Sequence, residues 1–215
     1  TDDKIIRRFP KFGYKYVLAY NEPDRADQAN MEVEDAVEGM KDFMNKELYV
    51  GSPATALCPP WSKNWFQPFM TEMQKNNMDV DFIAVHHYWN WYQDEGAAAF
   101  VELIDKTWEM YHKPIWITEF SINGDPGKDK EQLEAVEGYM QNVLPELDKR
   151  DYVERYAWFS FAASSYKNGG AALLNWYTGE IRNLGKIYQK LGMPEGYGDA
   201  NAVNHTENPK KDIVK

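Results

Sequence analysis

Between Tyr14 and Leu191 the chain alternates between two hydrophobic periods. Short apolar runs at Tyr16–Tyr20, Leu48–Val50, Phe82–His86, Ile115–Phe120 and Tyr156–Phe161 are rich in β-branched and aromatic residues and have the length of buried strands. Between them lie stripes at helical spacing. Val33, Ala36, Val37, Met40, Phe43 and Met44 form the first, and Trp65, Phe66, Phe69, Met70 and Met73 the second. Phe100, Ile104, Trp108 and Tyr111 follow, then Leu133, Val136, Met140, Val143, Leu144 and Leu147, and last Ile181, Leu184, Tyr188 and Leu191. Strand–helix alternation of this kind predicts right-handed βαβ units around a parallel sheet.

The runs recur at roughly 35-residue intervals, which makes about five βα units where a closed eightfold barrel needs eight. No glycine-rich phosphate loop follows any run, as a dinucleotide or P-loop fold would require. Carboxylates and aromatics follow them instead, the pattern of the catalytic face of a (β/α)8 TIM barrel. Residues 1–191 therefore read as the barrel domain, and 192–215, opening with Gly-Met-Pro-Glu-Gly, as an irregular polar tail. The five runs should form one sheet in sequential order, with Tyr16–Tyr20 and Tyr156–Phe161 at its edges. Apolar edge residues would then face water, so residues 1–215 alone should aggregate or bind hydrophobic dye.

Composition narrows the chemistry. A net charge of −10 argues against nucleic acid and anionic membrane surfaces as partners, and no apolar run is long enough to span a bilayer. The single cysteine, Cys58, leaves no intramolecular disulfide and no cysteine zinc site, and reads as an inert buried thiol. Aromatics reach 15%, heavy for an acidic chain, and an excess in loops would suit flat-faced ligands such as sugars. The start at Thr1 reads as a processed or cut chain, and Asn204-His205-Thr206 matches the glycosylation acceptor pattern.

Two strand ends carry the chemical signal. One run finishes Tyr20-Asn21-Glu22-Pro23-Asp24, and another Ile115-Trp116-Ile117-Thr118-Glu119-Phe120. Taken singly, Glu22 could be a turn carboxylate and Glu119 a loop charge. Two carboxylates among apolar strand ends are costly unless something pairs or uses them. His86, His87 and Tyr88 end a third run; neighbouring strand side chains point to opposite faces, so the two histidines should not share a metal. His86 could equally be a hydrogen-bonded core histidine. Trp116 alternates with Ile117 and should point towards the helices.

With Gln28-Ala29-Asn30-Met31, Gly51-Ser52-Pro53-Ala54, Asp81–Tyr88, Lys113–Phe120 and Arg155–Phe159, these segments resemble, in order, glycoside hydrolase family 128, the endo-β-1,3-glucanases of the "glycosyl hydrolase catalytic core" group. The resemblance runs from about Pro10 to Leu191, and implies a retaining enzyme of the barrel clan whose first three units would precede Asn21-Glu22-Pro23. Those units are absent here: either the chain is part of a longer polypeptide, or another segment supplies the missing strands, or the fold departs from the closed barrel. By the resemblance Glu22 is the acid/base and Glu119 the nucleophile, held about 5–5.5 Å apart.

Asn21 would bind the sugar 2-hydroxyl, His86 and Tyr88 would line the pocket, and Trp158 would be the platform under the sugar. His87 stands where a Trp is more usual, facing out. The loop aromatics Trp61, Trp89, Trp91 and Tyr92 would form outer sugar subsites, whereas Trp65, Trp108 and Trp176 read as core or loop anchors. No cofactor or metal is implied, the partner is a β-glucan, and the place of action is extracellular or at the cell wall. Two alternatives stay open: a sister-clan glycosidase acting on β-1,4-glucan or mannan, and a catalytically weak glucan-binding wall protein.

Overall fold

The computed structural model describes residues 6, 8, 10–44, 47–89, 94–122, 130–161 and 169–192. Trp91, Tyr92, the tail from residue 193 and the Asn204 tripeptide lie outside the described residues. Helices and strands alternate in the order the hydrophobic periods predict. Strands β1 (Tyr16–Val17), β2 (Tyr49–Val50), β3 (Ile83–Trp89), β4 (Ile115–Ile122) and β5 (Val153–Trp158) are separated by α1 (Val33–Met40), α2 (Phe66–Lys75), α3 (Asp94–Tyr111) and α4 (Lys130–Asp148), and α5 (Asn183–Gly192) follows β5. Each helix follows one apolar stripe. In α2, Phe66, Phe69, Met70 and Met73 are buried, and side chains of this kind contribute about 1.5–3 kcal/mol each on burial.

The strands keep sequential order but form two ladders, β1-β2 and β3-β4-β5. Tyr16 pairs with Tyr49 and Val17 with Val50 in parallel. Single parallel bridges join Asn21 to Ala54 beyond that pair, and Gly51 to Phe82 between the ladders. Among the described residues, the expected single sheet is thus continuous only through one bridge. The expected run Tyr156–Phe161 is displaced: the strand begins at Val153 and ends at Trp158, and Phe159 is exposed. Glu154 and Arg155 interrupt the apolar pattern at that strand's start, which hides it in the sequence.

By contacts the described chain divides into two units. The first comprises residues through Tyr88, Glu102–Phe120 and Arg155–Trp158; the second Trp89–Val101, Ser121–Glu154 and the chain from Phe159. In the first, Trp116 stacks on Phe82 with ring centroids 4.0 Å apart and meets Tyr16 at 5.1 Å. The guanidinium of Arg155 lies 4.4 Å over the Trp116 ring, a cation–π contact that accommodates its charge on the strand. Trp116 therefore joins a layer of residues from β1, β4 and β5 rather than packing towards the helices. Phe82 and His86, four apart, share one strand face. Trp116 meets the first and Glu119 reaches the second, so strict alternation fails between Trp116 and Glu119.

In the second unit α4 buries Val136, Tyr139, Met140, Val143, Leu144 and Leu147, and α4 and α5 pack together. No helix among the described residues is long and apolar enough to cross a membrane.

Candidate active site

The β1 segment ends in a tight turn whose backbone is held from both sides. Ala54 N donates to Tyr20 O at 3.1 Å and Glu22 N to Ala54 O at 2.8 Å, while Arg25 N donates to Glu22 O at 3.0 Å and Ala29 N to Asn21 O at 3.2 Å. Glu22 takes φ 41°, a left-handed conformation that costs a side-chain-bearing residue about 1–3 kcal/mol and persists only where its surroundings over-determine it. The turn directs the Glu22 carboxylate inwards, leaving the residue 7% exposed.

Two cationic or protic groups meet that carboxylate. His86 Nδ1 lies 3.3 Å from Glu22 Oε1, and Arg25 Nε 3.4 Å from Glu22 Oε2. His86, itself buried, also places Nδ1 3.6 Å from Glu119 Oε2. One imidazole nitrogen thus stands between two carboxylates. The Tyr88 hydroxyl donates to Glu119 Oε2 at 2.5 Å. Burial first, then that hydrogen bond and the Glu119 and Glu22 charges, push the phenol far above its ordinary range, so it is a neutral donor. One ligand atom each from Glu22, His86 and Glu119 lies within 4.8 Å of the others.

That disposition puts His86 Nδ1 within hydrogen-bond distance of Glu22 and just beyond it from Glu119, and it is also compact enough to surround a cation. Nitrogen and carboxylate oxygen donors of this kind are those of zinc and related divalent ions. His87 takes no part: it lies on the opposite face, with Nδ1 3.5 Å from Cys58 Sγ and its ring 5.7 Å from that of Trp61.

Other expected site residues are distributed as follows. Asn21, exposed beside Glu22, donates from Nδ2 to Gln28 Oε1 at 3.1 Å. Trp61 is 45% exposed, its ring edge-on to that of His87. Trp89 is half-buried at the end of β3. Trp158 is 6% exposed, edge-on to Phe120 at 5.2 Å, so little of its face is accessible. Trp65 is a loop anchor as expected, stacked on Phe69 and donating to Met31 O at 2.8 Å. Trp176 is the opposite of an anchor at 67% exposure. Arg25 is the site contact that sequence reasoning missed; its signal was a cation three residues after Glu22 in a turn.

His87 carries a stability prediction. Burial pulls its pKa down to about 4 from the usual 6.5. The unfolded chain therefore binds more protons than the folded one between those values, and stability must fall as pH falls from about 6.5 to about 4, by up to roughly 3 kcal/mol. His87→Gln should flatten that loss, read as urea midpoints at pH 7 and pH 4.5. Equal acid sensitivity of parent and variant would contradict it.

Comparison with known proteins places this geometry. A family model described as glycosyl hydrolase catalytic core matches residues 2–188. Alkali-sensitive linkage protein 1 of Schizosaccharomyces pombe is 30% identical over 145 residues, 65% of this chain but only 24% of the relative, so the chain spans about a quarter of that protein.

A subgroup I endo-β-1,3-glucanase of glycoside hydrolase family 128 from Amycolatopsis mediterranei, crystallised with laminaritriose and laminaribiose, superposes with TM-score 0.75 at 28% identity. The match covers 89% of this chain and 78% of that one. A curdlan-specific exo-β-1,3-glucanase of subgroup III from Blastomyces gilchristii, in complex with glucose, gives TM-score 0.63 at 32% identity over 83% and 71%. The α/β fold with parallel strands is thus that of the family's barrel-like structures. The chain belongs to the glycosyl hydrolase catalytic core family, and with it to the glycoside hydrolases.

Proposed function

We propose that the protein hydrolyses β-1,3-glucan with retention of configuration, Glu22 serving as acid/base and Glu119 as nucleophile. The observation that carries this reading is a carboxylate oxygen of each residue within 4.8 Å, close to the separation of about 5–5.5 Å of retaining enzymes and well below that of inverting ones. The sequence spacing adds support. The Amycolatopsis glucanase was crystallised with either of two glutamates replaced, and these are separated along its chain by the same number of residues as Glu22 and Glu119 here. Its bound laminari-oligosaccharides favour the β-1,3 linkage.

In the first step the Glu119 carboxylate attacks the anomeric carbon. The bond to the glycosidic oxygen breaks, and the Glu22 proton passes to that oxygen. In the second, Glu22 takes a proton from water, whose oxygen attacks the same carbon and expels Glu119. The Tyr88 hydroxyl orients Glu119, leaving its other oxygen for the attack. His86, with Nδ1 3.3 Å from Glu22 Oε1 and 3.6 Å from Glu119 Oε2, holds both carboxyl groups in one geometry. Asn21 reaches the sugar 2-hydroxyl beside Glu22, and the exposed Trp61 receives an outer sugar. Trp158 contributes through whatever part of its indole the sugar reaches.

A closed eightfold barrel has strands beyond the five described here, and a β-glucan substrate accords with action outside the cell or in the wall. Reducing-end release should be seen from laminarin and not from carboxymethylcellulose or mannan, and a chelator should leave it unchanged. Release from cellulose or mannan first would instead favour a β-1,4 glycosidase, and chelator-sensitive release would favour a metal held by Glu22, His86 and Glu119. Laminarin binding with no release would favour a glucan-binding wall protein.

A further inference from the structure

In the second unit the chain from Leu173 to Arg182 folds into a hairpin whose tip displays two aromatic side chains. Leu174 and Ile181 pair in an antiparallel bridge at its base. Asn175 N donates to Glu180 O and Gly179 N to Asn175 O, each at 2.8 Å, and Arg182 N donates to Leu173 O at 2.9 Å. The Asn175 side chain then accepts from Tyr177 N at 3.0 Å and Thr178 N at 3.3 Å, and Thr178 Oγ1 donates to Glu180 Oε2 at 3.1 Å. Gly179 takes φ 72°, which favours glycine. Behind the base, a Cβ on Gly185 would lie 2.3 Å from Leu173 O, so the hairpin is seated closely on α5. Leu173 N is anchored to Ser160 Oγ at 2.9 Å.

Such bonding fixes a backbone; here it fixes one that turns Trp176 and Tyr177 out to 67% and 84% exposure, beside Leu174 at 50% and Ile181 at 46%. A rigid turn with large apolar rings facing water has no folding return for that exposure, which marks a contact surface. The chemistry around the rings chooses the occupant. Thr178 and Glu180 put a hydroxyl and a carboxylate next to two aromatic faces, matching a pyranose with its apolar CH faces and hydroxyl edge. Glu180 and the chain's net charge of −10 disfavour an anionic lipid surface.

We infer that the Trp176–Tyr177 hairpin is a carbohydrate-contact surface on which the sugar rings of a β-glucan chain stack. The choice of β-glucan rests on the proposed function, while the stacking surface rests on the hairpin itself. Because the turn is preorganised, little ordering cost accompanies binding.

The test is cosedimentation of the full chain with insoluble curdlan in the cold, against cellulose as control. Trp176→Ala/Tyr177→Ala should raise the apparent Kd for curdlan about tenfold, the effect of losing roughly 1.4 kcal/mol of ring contact. Trp176→Phe/Tyr177→Phe, which keeps apolar faces, should stay within about threefold of the parent. Unchanged curdlan binding in the alanine variant overturns the inference. So does an equal loss on cellulose, which means nonspecific adhesion, or a loss of self-association with curdlan binding intact, which means a copy-to-copy contact. Loss in both variants alike also overturns it, since stacking faces would then not be the cause. Hairpin-dependent curdlan binding by a chain that releases no reducing ends from laminarin would leave this inference standing and defeat the proposed hydrolysis; release without hairpin-dependent binding does the reverse.

Discussion

Glu119→Ala should lower turnover of laminari-oligosaccharides on the order of 10⁴-fold while substrate still binds, because the variant removes the carboxylate that attacks the anomeric carbon. Azide should restore part of the rate by occupying the vacated space and attacking from the same side, giving a glycosyl azide of inverted configuration. Glu22→Ala should behave differently. With natural glucan the leaving oxygen needs its proton, and kcat/KM should fall about 10²–10⁴-fold. With an aryl glycoside whose leaving group is already stable, kcat/KM should change little, since that ratio reports the first bond cleavage. Equal losses on both substrates would reverse or remove the acid/base assignment. His86 Nδ1 lies within 3.6 Å of both carboxylates, so each variant also removes one partner of that imidazole. Near-parent melting curves are therefore the control that separates chemistry from folding.

Gly51→Ala should destabilise the first unit by overpacking. A Cβ there would lie 2.4 Å from Phe82 Cε2 and 2.6 Å from its Cζ. The glycine cannot retreat, because its N–H donates to Val17 O at 2.9 Å and it pairs with Phe82 in the one bridge between the ladders. Nor can the ring, which is 3% exposed and stacked on Trp116 at 4.0 Å. Overpacking of this kind costs about 1–3 kcal/mol. Phe82→Leu alone should also destabilise, through lost contact area. Combined with Gly51→Ala it should cost less than the sum, by at least about 0.5 kcal/mol, because the smaller side chain makes room for the new methyl. Strictly additive urea midpoints would mean that the ring is not what the methyl meets.

The helices and most strands are legible in the sequence because hydrophobic period is a local property. The stripe Phe66, Phe69, Met70 and Met73 has no other economical arrangement than one buried helical face. The same locality places Glu22 in the turn that follows β1, whereas Glu119, expected at a strand end, lies within β4, which continues to Ile122. It fails where charge and strand coincide: Glu154 and Arg155 read as a break, yet β5 runs through them because Trp116 offers the guanidinium an aromatic face. It fails again for Trp116, whose side depends on where alternation slips within β4. Trp176 reads as an anchor by type, and only the hydrogen-bonded turn around Asn175 turns it outward.

By itself, then, the sequence determined the order of elements, the two carboxylates and, through resemblance, the family. The tertiary structure decided that His86 Nδ1 stands between Glu22 and Glu119, that Arg25 reaches back to Glu22, and that His87, one residue along, belongs to Cys58 and Trp61 instead. Period and propensity act over a few residues. The contact between His86 and Glu22 spans 64 positions and depends on how the ladders are registered and which way a strained turn aims its side chain, neither of which is set by local pattern.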